Sequence, residues 1–180
     1  MDVRRDVIER LEAAGIGYFV TGSEALAIHG LAYRATNDID IVLDLDPAAY
    51  DTRVRPSFEP AYLVNSLVRV TGKWLGSAIH IEAVGKADFV VRDADPWGLA
   101  AFGRRIRRRD EALGDLWLST IEDLLIAKLE FAEGSLEGLQ GRDCIWIAEG
   151  MPGIDWPYVR THASELGLDR LLAEVIDRAG

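Results

Sequence analysis

Two aspartates, Asp38 and Asp40, stand two residues apart in a segment that alternates acidic and aliphatic residues. This alternation has the period of a β-strand with one buried face, so both carboxylates point to the same side of a sheet. Carboxylates held that close repel each other unless a divalent cation lies between them. Upstream, a short apolar strand over 18–20 leads to Gly22 and Ser23 at the predicted start of a helix. Such a turn suits close approach to a phosphate, and the combination predicts phosphoryl or nucleotidyl transfer.

The bulk properties of the chain limit the other possibilities. Its 180 residues are enough for one domain, or for a compact domain with a small appendage. The formal charge of −10 and the pI near 4.8 argue against a protein that coats nucleic acid with a broad basic surface. Cys144 is the single cysteine, which excludes an intrachain disulfide and a cysteine-based zinc cluster. No apolar run approaches the ~20 residues of a membrane helix, so we expect a cytoplasmic protein with no membrane partner.

Apolar periodicity predicts an α/β (α+β) fold, in which a small mixed sheet flanked by helices is followed by a C-terminal helical region. We expect an α/β domain over 1–118 and a helical subdomain over 119–180. The predicted strands cover 18–20, 38–45, 79–84 and 87–91, with an edge strand over 61–65. The predicted helices cover 3–14, 24–29, 96–109, 121–134, 142–149, 156–165 and 168–178.

The order of strand, Gly22-Ser23, helix and D-x-D strand resembles the nucleotidyltransferase superfamily typified by DNA polymerase β. In that superfamily the Gly-Ser turn holds a triphosphate, and the two acids bind magnesium. The resemblance implies an enzyme that moves a nucleoside monophosphate from an NTP to a hydroxyl and releases pyrophosphate. Asp38 and Asp40 would be catalytic and would bind Mg²⁺ (or Mn²⁺), while Gly22 and Ser23 would bind the nucleotide.

A third acid in this superfamily comes from a later strand of the same sheet, and Asp88 is the candidate here. Two metal ions about 4 Å apart need bridging and terminal oxygen ligands to activate the attacking hydroxyl and to neutralise the leaving pyrophosphate. Asp88 opens a predicted strand that can lie beside the strand of Asp40. Glu82, on the preceding predicted strand, is a rival for the same role.

A narrower resemblance is to the AbiEii group, which includes the toxins of type IV toxin–antitoxin systems. Arg34 precedes the acids, and the C-terminal half carries E-D-L-x-x-x-K-L over 122–129, followed by an R-D pair that ends in Asp143. The resemblance implies that Lys128 is catalytic and that Arg34 and Asp143 contact the nucleotide. It also implies an RNA end as acceptor, above all tRNA, or a protein hydroxyl, together with an antitoxin as partner protein.

Simpler interpretations of the same side chains stay open. Lys128 lies at the edge of the apolar stripe of its helix, where a lysine usually reaches towards solvent. Otherwise its ammonium pairs with a triphosphate as a point charge. Asp143 pairs with Arg142, caps a helix, or orients Lys128 or the acceptor hydroxyl. Arg34 is either a solvated loop cation or a phosphate contact.

Five arginines within 104–109 make the most basic segment of this acidic chain. The default interpretation is a solvated helix end, since cations favour a helix C-terminus. The alternative is a surface that contacts RNA or a nucleotide phosphate. This segment favours a polyanionic acceptor over a small molecule of the kind that aminoglycoside or lincosamide nucleotidyltransferases modify. The competing class is a non-catalytic module that binds nucleotide or protein, and the presence of all three acids argues against it.

Overall fold

The computed structural model describes residues 1–31 and 37–180. The helices are α1 (Val3–Ala13), α2 (Gly22–Ile28), α3 (Tyr50–Phe58), α4 (Pro96–Arg104), α5 (Ile121–Phe131), α6 (Leu139–Gly150), α7 (Trp156–Glu165) and α8 (Asp169–Ala179). The strands are β1 (Gly17–Thr21), β2 (Ile39–Asp44), β3 (Tyr62–Val64), β4 (Val68–Val70), β5 (Lys73–His80), β6 (Lys86–Arg92), β7 (Ile106–Asp110) and β8 (Gly114–Leu118). A 3-10 turn, Pro47–Ala49, precedes α3.

The strands form one mixed sheet in the order β3-β5-β6-β2-β1-β8-β7, and β4 pairs with β5 beside this path. Strand β2 runs antiparallel to β1 on one side and parallel to β6 on the other. Because β2 lies inside the sheet, two neighbours hold its register at once. The start of β2, where the acids lie, is therefore placed between the end of β1 and the start of β6. The predicted mixed sheet with flanking helices is confirmed.

The buried face of β2 fixes this strand in the core. Ile39, Ile41 and Leu43 are at most 3% exposed, as their alternation with the acids predicted. On the neighbouring strand β6, Phe89 meets Phe58 of α3 edge-on, with ring centroids 5.5 Å apart. Each fully buried aliphatic or aromatic side chain contributes roughly 1.5–3 kcal/mol, so this layer holds both strands firmly. The opposite faces of β2 and β6 carry the carboxylates.

Helix α1 is tied to helix α2, the helix that follows the Gly-Ser turn. Asp2 caps α1 by accepting a hydrogen bond from the backbone N–H of Arg4. The guanidinium of Arg4 also reaches Oε2 of Glu24 in α2 at 2.9 Å. The hydrogen bond to Asp2, together with the charge of Glu24, raises the pKa of Arg4 above its usual value. Arg4 is therefore a permanent cation that holds the first turn of α2 against α1.

The chain forms two compact units. The first contains Met1–Ile28 and the described residues that continue to Ser119, and the second contains His29–Leu31 and Thr120–Gly180. The second unit is built from α5 to α8 around a core of Leu124, Leu125, Ile126, Leu129, Cys144, Ile147, Val159, Ala163, Leu171, Leu172 and Val175. Burial raises the pKa of the Cys144 thiol to about 12, which keeps this core residue protonated. Across residues 1–31 and 37–180, no helix is long and apolar enough to span a membrane.

The prediction of a helix over 96–109 is wrong in its second half. Helix α4 ends at Arg104, and the arginine-rich segment continues as strand β7. Strand β7 forms a hairpin with β8, in which Ile106 pairs with Leu118 and Arg108 pairs with Leu116. Both leucines are fully buried, so pairing with this core strand outweighs the good helix propensity of arginine. The arginines are therefore not a solvated helix end.

Two other predicted elements have different bounds in the structure. Strand β5 spans Lys73–His80, and residues 81–84 form a turn instead of the end of a strand over 79–84. Helix α2 begins at Gly22, so Ser23 lies inside its first turn and is not the residue before the helix. The edge strand over 61–65 is confirmed by β3, which ends the sheet order.

Candidate active site

Strand β1 ends in a turn that lies directly against the Asp40 carboxylate. Thr21, the last residue of β1, is the register partner of Asp40 on β2. Gly22 follows with φ +66°, a conformation that residues with a side chain rarely adopt. A Cβ atom at Gly22 would overlap the Asp40 carboxylate, so glycine alone leaves room for it. The Gly-Ser turn and the D-x-D strand, separate along the chain, are one local structure.

The structure brings the third predicted acid beside this turn. Asp40 and Asp88 are register partners on the parallel strands β2 and β6, and neighbouring strands lie about 4.8 Å apart. Asp38 directly precedes β2, two residues before Asp40, and Lys86 begins β6, two residues before Asp88. The rival Glu82 lies in the exposed turn after β5, so Asp88 is the carboxylate that joins Asp40. We call Asp38, Asp40 and Asp88 the carboxylate row.

Lys86 adds a positive charge to the carboxylate row. Its Nζ atom lies 2.8 Å from Oδ2 of Asp88. The hydrogen bond to Asp88, reinforced by the charges of Asp38 and Asp40, raises the pKa of Lys86 against the opposing effect of burial. Sequence reasoning assigned Lys86 no role. The spacing of two between Lys86 and Asp88 on one strand is the signal that would have placed both side chains on one face.

The donor atoms of the carboxylate row suit a hard divalent cation, since Mg²⁺ and Mn²⁺ prefer oxygen ligands. The lysine ammonium that contacts Asp88, with its pKa also raised by the charges of Asp38 and Asp40, indicates that this place favours a cation. As the side chains stand, no group of three His, Cys, Asp or Glu in the described ranges 1–31 and 37–180 could hold a metal ion. Metal binding therefore requires the acids to draw together. The metal ligands and the metal itself stay predictions.

Known proteins resemble this one in structure more than in sequence. The sequence matches no family model and no curated protein. An antigenic nucleotidyltransferase-like protein from Paracoccidioides brasiliensis has a TM-score of 0.54 at 19% identity, over 98% of this chain and 91% of that one. ANT(2″)-Ia, an antibiotic-resistance factor, has a TM-score of 0.50 at 13% identity, over 99% of this chain and 94% of that one. The fold is that of the nucleotidyltransferases. The narrower AbiEii resemblance stays a prediction.

The predicted nucleotide-binding residues lie in different parts of this nucleotidyltransferase fold. Gly22 and Ser23 form the first turn of α2 beside the carboxylate row, and Ser23 is partly exposed. Arg34 lies outside the described residues. Asp143 and Lys128 belong to the helical unit, on α6 and α5.

Lys128 and Asp143 form a buried ion pair. The Lys128 Nζ atom donates to Oδ2 of Asp143 at 2.5 Å and to Oε1 of Gln140 at 3.0 Å. The side chains of Lys128 and Asp143 are 3% and 0% exposed, so the interpretation of Lys128 as a lysine that reaches solvent is wrong. Of the interpretations open for Asp143, the structure shows the one in which it orients Lys128. The catalytic role of Lys128 and the nucleotide contact of Asp143 stay predictions.

The two acids that begin the E-D-L segment have structural partners. Asp123 accepts hydrogen bonds from the hydroxyls of Thr120 and Tyr158, each at 2.6 Å. The Thr120 side chain accepts in turn from the Asp123 backbone N–H and caps α5. Glu122 accepts from the backbone N–H of Asp155, the cap of α7. These bonds join α5 to α7, and they account for both acids without a catalytic role.

Part of the positive charge of the arginine segment is used within the first unit. The Arg105 guanidinium lies over the rings of Phe102 and Trp117, at 4.0 and 4.5 Å from their centroids. Arg107 lies 5.3 Å from the Trp117 ring and donates to Oε1 of Glu12 at 2.5 Å. Cation–π contacts and ion pairs of this kind help to hold the β7–β8 hairpin. The remaining exposed positive charge is smaller than five arginines suggest.

Proposed function

We propose that this protein transfers a nucleoside monophosphate from an NTP to a hydroxyl acceptor and releases pyrophosphate, in a Mg²⁺-dependent reaction. The observation that supports it most is the packing of the Gly22 turn on Asp40, which itself pairs in register with Asp88. A fold alone supports many activities, so the proposal depends on this local arrangement. It joins a turn suited to phosphate with carboxylates suited to a divalent cation.

Each residue of the site has a proposed role. Asp38, Asp40 and Asp88 would hold Mg²⁺ (or Mn²⁺), and Ser23 with the adjacent backbone N–H groups would hold the β- and γ-phosphates. The chemistry that the ion supplies when bound is neutralisation of phosphate charge and activation of the acceptor hydroxyl. The contribution of the chain would be positioning, because the fixed register of β2 and β6 holds Asp40 beside Asp88.

The acceptor is the finer part of the proposal. An RNA end is the first candidate, since Arg108 and Arg109 on β7 are exposed. The toxin role and an antitoxin partner follow from the AbiEii resemblance and belong to this candidate. A small hydroxyl compound is the second candidate, because the structurally similar ANT(2″)-Ia is an antibiotic-resistance factor.

The reaction can be tested by the position of the label that reaches the acceptor. We would incubate the protein with Mg²⁺, total RNA or aminoglycosides, and each NTP labelled on either the α- or the γ-phosphate. Attack on the α-phosphorus predicts transfer of the α-label alone, with the γ-label in pyrophosphate. Label from the γ-position would show a kinase reaction, and tight NTP binding without any transfer would show a binding module. Either result would overturn the proposed function.

A further inference from the structure

The Lys86 ammonium contacts one of the carboxylates that the proposed function assigns to a metal ion. Lys86 Nζ is 2.8 Å from Asp88, and Lys86 begins β6, which runs parallel to β2, the strand directly after Asp38. On its other side Lys86 pairs with Ile79 of β5, which has no charge. The acids that surround Lys86 are therefore those proposed to bind the metal.

We propose that Lys86 is the internal counter-ion of the carboxylate row, and that it must leave Asp88 when a divalent cation binds there. The lysine would thereby set the affinity of the site for the cation. This inference rests on the proposed function, because it uses the same three carboxylates.

The geometry allows the exchange. The Lys86 and Asp88 side chains are 40% and 38% exposed, so the lysine can turn into solvent without breaking the core. An exposed lysine–carboxylate pair contributes little to stability, typically about 0–1 kcal/mol, and therefore costs little to break. A lysine ammonium is a point charge on a flexible stem, which suits a partner that can be replaced.

The charge of Lys86 should weaken the binding of a cation to the carboxylate row. A positive charge beside the acids lowers their attraction for a second cation, and the ammonium also occupies an oxygen of Asp88. Removing this charge should strengthen metal binding, although most substitutions at a metal site weaken it. A purely structural role for Lys86 predicts no such gain.

The test is the affinity for Mn²⁺ alone, measured from the loss of the free-ion signal in electron paramagnetic resonance. We expect Lys86→Met to bind Mn²⁺ roughly three- to thirty-fold more tightly than wild type, because one nearby positive charge is removed. Lys86→Arg keeps the charge and should stay near the wild-type affinity. Arg109→Met removes the same charge four strands away, roughly 19 Å at about 4.8 Å per strand, where screening makes it a matched control.

The outcomes separate this inference from the proposed function. Mn²⁺ binding that is seen only in Lys86→Met supports the inference. A gain in Mn²⁺ affinity that disappears when Asp40→Asn is added to Lys86→Met supports it as well. Equal affinity of wild type and Lys86→Met overturns the inference, while transfer of the α-label by wild type would leave the proposed function intact. If neither wild type nor Lys86→Met binds Mn²⁺, the inference is overturned. If wild type in addition transfers no α-label, the proposed function is overturned too. Circular dichroism would show that Lys86→Met is folded. A larger stabilisation by Mn²⁺ in Lys86→Met than in wild type would show that the folded variant binds the ion.

Discussion

Among single residues, Gly22 is the one whose identity the structure constrains most. It combines a positive φ of +66° with contact to the Asp40 carboxylate, and both exclude a side chain. The sequence showed that a small residue suits this turn. It did not show that the reason is an acid eighteen positions away in the chain, because that contact exists only once β1 and β2 are paired.

Gly22→Ala should damage the site more than the fold. The left-handed conformation costs an alanine about 1–2 kcal/mol, and its methyl group must also displace Asp40. We expect a loss of about 1–3 kcal/mol in the free energy of unfolding, measured with urea, together with a loss of transfer of about a hundredfold or more.

Gly15→Ala is the matched control for this substitution. Gly15 has a φ of +60°, and a Cβ atom there would meet nothing within 4 Å. It should therefore show a similar conformational cost and retain transfer. If Gly22→Ala kept wild-type transfer, the turn would not position Asp40 for the reaction.

At the scale of helices and strands, the pair of Lys128 and Asp143 joins α5 to α6. Sequence periodicity placed Lys128 at the edge of the apolar stripe, which predicts partial exposure. Its burial depends on α6, whose position relative to α5 is a tertiary property. The sequence shows Asp143 on the next predicted helix, but a pair between Lys128 and Asp143 was one of several possible interpretations.

Lys128→Ala should strongly destabilise the helical unit. It leaves the Asp143 carboxylate buried without its cation, which typically costs about 3–5 kcal/mol. Urea unfolding should show this loss, and Lys128→Met with Asp143→Leu should recover most of it by removing both charges.

The control for the buried pair is an exposed one in the same unit. Arg170 pairs with Glu174 on α8 and is 72% exposed, so Arg170→Ala should change the unfolding free energy by less than about 1 kcal/mol. A similarly small effect of Lys128→Ala would contradict the buried ion pair. A large loss of transfer without a loss of stability would instead favour the predicted catalytic role.

Some elements could be predicted from the sequence because their signals are local. Helix α7 spans Trp156–Glu165 as expected, since Asp155 caps it and a proline lies in its first turn. Strand β7 could not be predicted from the sequence. Its arginines favour a helix in isolation, and its partner strand β8 follows only after a turn. The start of β5 at Lys73 was missed as well, since the four residues after Lys73 are all only partly buried and no clean alternation appears.

For the whole molecule, the mixed sheet explains why distant segments meet at one site. β2 lies between β1 and β6, so the end of one strand and the starts of two others converge on Asp40. Sequence order and the superfamily resemblance predicted this convergence for Asp38, Asp40 and Asp88. They did not reveal Lys86, because no motif included it and its role depends on the register of β6 against β2.

The most direct test of the proposed function is pyrophosphate release by wild type, Asp40→Asn and Asp44→Asn, with Mg²⁺, NTP and the identified acceptor. Asp44 lies on the same strand and face as Asp40, four residues further along, or roughly 13 Å away at the rise of a β-strand. We expect Asp40→Asn to slow release by at least about a hundredfold, since transition-state stabilisation is lost, while Asp44→Asn stays near wild type. Wild-type release by Asp40→Asn, or equal losses in both variants, would contradict the claim that the carboxylate row carries the reaction.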